Sequence, residues 1–253
     1  MKGERLGEEN YNNEGYNMRI IEYKNYKDIT VEFQDEYKAK VHTQYGNFKN
    51  GKIKNPYNKS VYGIGYIGEG RYSKKDYPHI YNKWNSMLQR CYDPYYLNKE
   101  PTYINCYVCK NWLCFQNFAK WYEENMYECN NESMHLDKDI LFKGNKIYSP
   151  NTCIIVPQRI NYLFTKCDAS RGKYPIGVSW DKERNKFCVY CHILNKENNK
   201  NKYLGTYDTI EDAFLVYKSF KEKYIKEVAD EYKELIPQKL YDALYKYEIE
   251  IND

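Results

Sequence analysis

The chain has 253 residues, 39 Lys and Arg against 35 Asp and Glu, a formal net charge of +4, and 31 tyrosines. That length holds one large domain or two to three small ones with real cores, and so small a net charge does not by itself announce a nucleic-acid binder. No apolar run approaches a membrane span, the first ten residues lack the apolar core of a secretion signal, and nine cysteines spread along the chain do not form a disulfide framework; a soluble protein of a reducing cytoplasm is expected.

Leu, Ala and Gly are sparse, so the cores must be built from aromatic rings with polar tips. Interleaved Tyr, Lys and Asn suit nucleic-acid surfaces, where rings stack and ammonium groups meet phosphates; an AT-rich coding sequence gives the same bias. Charge is unevenly placed. Val156 to Tyr203 carries 10 Lys and Arg against 4 Asp and Glu, a local +6, whereas Leu204 to Asp253 carries 7 against 12, a local −5. The positive field is therefore local.

Residues 1–17 are polar and rich in Asn, Glu and Gly, the composition of a loose tail. Residues 18–23 and 28–33 alternate β-branched and aromatic side chains across a short polar turn, which predicts a hairpin. Further strands are predicted at 38–43 and 61–68, giving a small all-β module over 18–75. The glycines at 63, 65, 68 and 70 have no following Lys-Ser/Thr and read as turns or bulges rather than a phosphate loop. From Pro78 the period changes: Ile80, Trp84, Met87, Leu88 and Cys91 recur at helical spacing, and Trp112, Phe115, Phe118, Ala119 and Tyr122 predict a second helix. Both stripes are expected to pack behind the segment that follows.

That segment, 136–161, reads as a strand over 133–140, a Lys/Gly/Asn-rich loop, a strand over 153–156, and a helix opened by Pro157. Asp137 on the first strand and Asn161 on the helix have the placing to face each other and hold one divalent ion by oxygen ligands. The structural alternative is that Asp137 and Asp139 pair with lysines and Asn161 hydrogen-bonds the loop. His135 shares a strand face with Asp137, opposite Lys138. Two Cys-x-x-Cys pairs, Cys106/Cys109 and Cys188/Cys191, raise structural zinc. Their predicted helix and strand contexts, without Gly knuckles, favour buried apolar thiols instead.

After a polar linker at 165–173, strands are predicted at 176–180, 186–194 and 203–207, followed by a helix capped by Thr209 with Glu211 and Asp212 in its first turn. Ala213, Tyr217, Phe220, Tyr224 and Val228 line one face of it. The fold class is thus α+β: the β module, a central domain over 76–166, a sheet-and-helix domain over 173–236, and an extension over 237–253.

At 136–161 the chain resembles the HNH nucleases with a ββα-metal motif, in the form found in bacteriophage homing-type endonucleases. The resemblance places Asp137 and Asn161 on the metal ligands, Asn151 and Thr152 on the turn, and Lys138 where the general-base His belongs. It implies Mg²⁺ or Mn²⁺ and phosphodiester hydrolysis. A base titrating near neutrality suits that chemistry, which makes Lys138 a departure from the pattern and His135 the other candidate. From Lys173 to Lys226, the Gly177-Val opening, Tyr203-Leu-Gly, Thr209 and Ala213-x-x-x-Tyr217 resemble the AP2/ERF-type DNA-binding domain that accompanies such nucleases. That resemblance implies a sheet docked in the major groove of double-stranded DNA. Candidate DNA contacts are Arg159, Lys166, Arg171, Lys173, Trp180, Lys182, Arg184, Lys186, Tyr190 and His192, of which only alternate strand residues can share a face. The expectation is a DNA nickase or endonuclease acting in a bacterial host cell. A DNA-binding or regulatory protein that has lost cleavage, or a phage counter-defence protein that binds a host nuclease, are the alternatives.

Overall fold

A computed structural model describes residues 5–165, 173–194 and 200–253. In chain order these carry β1 (Glu9–Tyr11), β2 (Asn17–Asn25), β3 (Asp28–Phe33), β4 (Lys40–Thr43), α1 (Tyr45–Lys49), α2 (Pro78–Tyr92), α3 (Pro94–Lys99), β5 (Tyr107–Val108), α4 (Phe115–Asn125), β6 (Met134–Asp137), β7 (Ile147–Tyr148) and β8 (Ile154–Pro157). There follow α5 (Gln158–Leu163), β9 (Val178–Asp181), β10 (Lys186–Ile193), β11 (Lys200–Tyr207), α6 (Ile210–Glu231) and α7 (Gln238–Tyr245). The chain is α+β, with an N-terminal antiparallel sheet and a C-terminal three-stranded antiparallel sheet plus helix. It divides into two compact units, residues 1–124 with 147–149, and residues 125–146 with 150–253.

In the first unit β1 to β4 form an antiparallel meander in sequence order. Alternation along β2 and β3 turns Met18, Ile20, Ile29, Val31 and Phe33 to one face, where Phe48 and Ile53 complete the core. The meander recruits part of the expected tail. Glu9–Tyr11 pairs with Asn17–Arg19, and buried Asn12 donates from Nδ2 to the Ile53 carbonyl at 2.9 Å while its Oδ1 accepts from Tyr16 N–H at 2.8 Å. A polar side chain that satisfies backbone groups orders a segment whose composition alone would leave it loose.

The expected strand at 61–68 is a turn closed by a bridge between Val61 and Gly65, because Tyr62 and Gly63 both take positive φ, 51° and 72°. Gly65 has a packing role. A Cβ there would lie 2.5 Å from Leu88 Cδ1 and 3.0 Å from the Trp84 ring, so its backbone sits directly on α2. The two helical stripes form as expected. Ile80, Trp84, Met87, Leu88 and Cys91 are buried on α2 and Phe115, Phe118, Ala119 and Tyr122 on α4, and Trp84 Nε1 donates to the Trp112 carbonyl at 2.7 Å. Both helices belong to the first unit rather than to the unit carrying 134–137 and 154–163, so the central domain drawn over 76–166 is cut near residue 124.

In the second unit β6 and β8 pair antiparallel, with Asp137 opposite Ile154 and Met134 opposite Pro157. Pro157 ends the strand in extended conformation and precedes α5 as its cap rather than its first residue. The sheet β9–β10–β11 has β10 at its centre, and α6 covers one face. Thr209 Oγ1 accepts from Asp212 N–H at 3.1 Å as the N-cap. Gly177 approaches α6 so closely that a Cβ would fall 2.1 Å from the Tyr217 ring, and its φ of +77° suits glycine as well.

The hairpin and the sheet are not separate domains. Arg159 on α5 pairs with Glu231 on α6 and donates from Nε to the Leu194 carbonyl at 3.0 Å; Glu132 accepts from Tyr232 Oη and from Arg159 N–H. The expected extension over 237–253 is part of the same unit, with Leu240 and Leu244 of α7 buried.

Candidate nucleic-acid interface and candidate metal centre

The hairpin turns Lys138 into a loop contact and places His135 and Asp137 on one strand face, as alternation requires. Directly opposed antiparallel residues lie on one face, so Val156 and Ile154, both buried, are their neighbours. α5 packs on β6 and β8 and meets this face at His135, whose ring centroid is 6.5 Å from that of Tyr162. Asp137 lies two residues further along the strand, about 7 Å. Asn161, half-buried on α5, precedes Tyr162.

Asp137 Oδ1 accepts from the backbone N–H of Asp139 and of Ile140, each at 2.7 Å. One carboxylate oxygen therefore turns the chain at the end of β6. Burial pushes the carboxyl above its ordinary range, the Ile140 N–H opposes that, and the neighbouring Asp139 charge adds to it. Lys138 points the other way and is buried. Its ammonium donates to Asp139 Oδ2 at 2.6 Å and to the Asn145 carbonyl at 2.9 Å, while Asn145 Nδ2 donates back to the Lys138 carbonyl at 2.8 Å. A base must offer a free lone pair to water, and an ammonium whose protons serve two acceptors does not. Lys138 closes the loop of residues 138–145. Among the described residues no group of three His, Cys, Asp or Glu side chains is placed to hold a metal ion. Cys188 and Cys191 are buried on opposite faces of β10, as positions three apart in a strand must be.

The register of the sheet sorts the expected DNA contacts. Val189 and Cys191 of β10 are fully buried, and Lys202, opposite Cys191, places its ammonium 4.7 Å from the Phe220 ring of α6. This is the helix-covered face. Phe187 lies on it with its partner Trp180, their rings 4.7 Å apart. Trp180 is therefore turned to the helix side and is not on the open face expected for it. The open face carries Lys186, Tyr190 and His192 from β10, and from β11 Tyr203 and Asn201, the partners of Tyr190 and His192. Tyr190 and Tyr203 are 44% and 47% exposed with ring centroids 5.3 Å apart, and His192 Nδ1 is 2.9 Å from Asn201 Oδ1.

Lys182 and Arg184 occupy the turn that leads into this face, with Arg184 Nε 3.8 Å from Asp181 Oδ2, and Lys186 lies 3.1 Å from exposed Asp208. Such exposed pairs are worth little and exchange readily for a phosphate. Asp181 is held below the ordinary carboxylate range, chiefly by the Arg184 N–H. Lys173 is exposed beside Tyr174. Lys166 and Arg171 lie outside the described residues.

Arg159 is a correction. Its side chain is 13% exposed and its guanidinium is spent on Glu231 and the Leu194 carbonyl, so it holds α5 to α6 instead of facing DNA. Burial alone would lower its pKa; the Glu231 carboxylate together with the Tyr232 and Tyr224 hydroxyls more than offsets that. Tyr203 and Asn201 were not legible as contacts from sequence. The pairing register would have revealed them, but β11 carries a bulge between the partners of Val189 and Tyr190 that shifts every assignment beyond it. Comparison of the chain with protein-family models, curated proteins and solved structures finds no match.

Proposed function

We propose that this chain is a double-stranded-DNA-binding protein of the HNH/AP2 endonuclease type, which meets DNA with the open face of β9–β10–β11. One observation carries the reading: the face opposite α6 presents two neighbouring exposed tyrosines, a His–Asn pair and Lys186, with Lys182 and Arg184 at its edge. Cationic groups meet phosphates and fix register, while polar strand side chains reach base edges in the major groove. A salt-titrated gel shift on duplex DNA tests this. Binding should weaken steeply with salt, and replacing Tyr190 and Tyr203 with Ala should weaken it further. Binding indifferent to both changes would remove the reading.

Metal-dependent cleavage is a second reading, favoured by the desolvated Asp137 carboxylate on the same hairpin face as His135, with α5 packed over it. In this reading Asp137 and Asn161 would hold Mg²⁺ or Mn²⁺, which when bound supplies charge to polarise a phosphodiester. His135 would take the proton from water, an imidazole being the side chain best suited to that exchange, since Lys138 is committed to Asp139. A plasmid-nicking assay with either ion, comparing wild type with Asp137→Ala and His135→Ala, decides it. Metal-independent silence in all three, with the gel shift retained, leaves a binding or regulatory protein that does not cut.

A further inference from the structure

We infer that the acidic segment Tyr247–Asp253 is a built-in competitor for DNA phosphate, occupying Lys143 on the loop that follows Asp137. The inference rests on the DNA-binding reading and adds a second contact surface and its regulation. Lys143 sits in the turn that Asn145 N–H closes onto the Phe142 carbonyl at 3.0 Å, beside Gly144 at φ +74° and the exposed ring of Phe142. A cation on such a projecting turn is well placed for a backbone phosphate. Here it is already taken. Lys143 Nζ donates to Asp253 Oδ2 at 2.6 Å and to the Glu248 carbonyl at 3.0 Å, and lies 3.5 Å from Glu250 Oε2.

The segment has no regular secondary structure to hold it, yet it is anchored at several points. Lys218 Nζ donates to the Ile249 carbonyl at 2.7 Å, Ile249 N–H donates to Glu222 Oε1 at 2.8 Å, and the Ile249 side chain is buried. Tyr247 packs on Phe164 just beyond α5, ring centroids 4.5 Å apart. The Asp253 carboxylate accepts from both the Lys143 ammonium and the Glu250 N–H. One anionic oxygen held by a cation and a backbone N–H is how proteins hold a phosphate oxygen. The carboxylates at 250 and 253 thus stand in for a phosphodiester, and a duplex must displace them to reach Lys143.

The test is a cycle on the full chain: wild type, Glu250→Gln with Asp253→Asn, Lys143→Gln, and all three together, with fluorescent duplex DNA titrated at several salt concentrations. The double variant should bind more tightly by roughly tenfold at low salt, with the slope of log K against log salt steeper by about 1, the increment of one added phosphate contact. Lys143→Gln should change nothing alone and should cancel the gain in the triple variant. A charge-matched control, Glu227→Gln with Glu234→Gln, should gain less and keep its gain when Lys143 is replaced. Should the double variant unfold, Glu250→Gln alone leaves the Asp253 contacts intact and should show a smaller gain of the same sign. An unchanged affinity, or a gain that survives Lys143→Gln, overturns the inference while leaving DNA binding through the sheet in place. Binding that responds to the cycle but not to Tyr190→Ala with Tyr203→Ala overturns the sheet reading instead, and no binding by any protein overturns both.

Discussion

The hairpin of β6 and β8 and the sheet of β9 to β11 carry the same kinds of residue, Lys, Arg, His and Tyr, and treat them in opposite ways. Around the hairpin Lys138, Arg159 and Lys143 are spent on partners within the fold. Lys138 closes a loop, Arg159 joins two helices and Lys143 holds the acidic segment. On the open face of the sheet Tyr190, Tyr203 and His192 stand exposed, and the ion pairs of Lys186 and Arg184 lie at the surface. Residue type sets what a side chain can do; what packs against it decides whether it is free to do so.

Arg159→Ala should give the largest effect. It strands Glu231 and removes the donor to the Leu194 carbonyl, at a cost of about 2–3 kcal/mol after allowing for the half-exposed carboxylate. The urea midpoint should fall accordingly, and DNA affinity of the folded variant should stay within about twofold. A large loss of affinity with unchanged stability would return Arg159 to the DNA face.

Lys138→Met comes next, at about 2 kcal/mol for two lost hydrogen bonds to a buried ammonium. If nicking is detected in wild type, the folded variant should retain it; abolished nicking at full stability would make Lys138 the base after all. On the sheet side, Tyr190→Ala with Tyr203→Ala should move binding and not folding. Affinity should drop about tenfold, roughly 1.4 kcal/mol, whereas loss of two half-exposed rings should cost less than about 1.5 kcal/mol of stability. The reverse pattern would make the tyrosine pair a packing feature.

The smallest effect is expected from Asp137→Asn, which keeps the acceptor for Asp139 and Ile140 N–H. Burial raises the Asp137 carboxyl above 3.8 in the folded chain, so the native state holds that proton more tightly than the unfolded state. Its favourable contribution is complete below the unfolded value and is lost as pH rises through the raised one. Wild type should therefore lose stability relative to Asp137→Asn as pH climbs from about 4 towards neutrality, read from urea midpoints of the two proteins. Parallel profiles would show that the carboxyl is not desolvated. Recovery of the wild-type deficit on adding Mn²⁺ would support a cation at Asp137.

Periodicity alone was enough for the elements whose burial follows a regular repeat. The stripes of α2 and α4, the alternation of β2, β3 and β10, and the Thr209 cap of α6 all stand where local pattern puts them. Local sequence also settled that His135 and Asp137 share a face, since strand geometry leaves no choice. Partnership was beyond its reach. That Asn12 would order a polar start, that the helices of 78–125 belong with the N-terminal sheet, and that Glu231 would claim Arg159 across 72 residues all depend on groups distant in sequence. Trp180 left the face expected for it and Tyr203 joined the open face unannounced for the same reason: which face of a strand is open is fixed by the register of its neighbours and by the helix laid over one side, and neither is written in the strand itself.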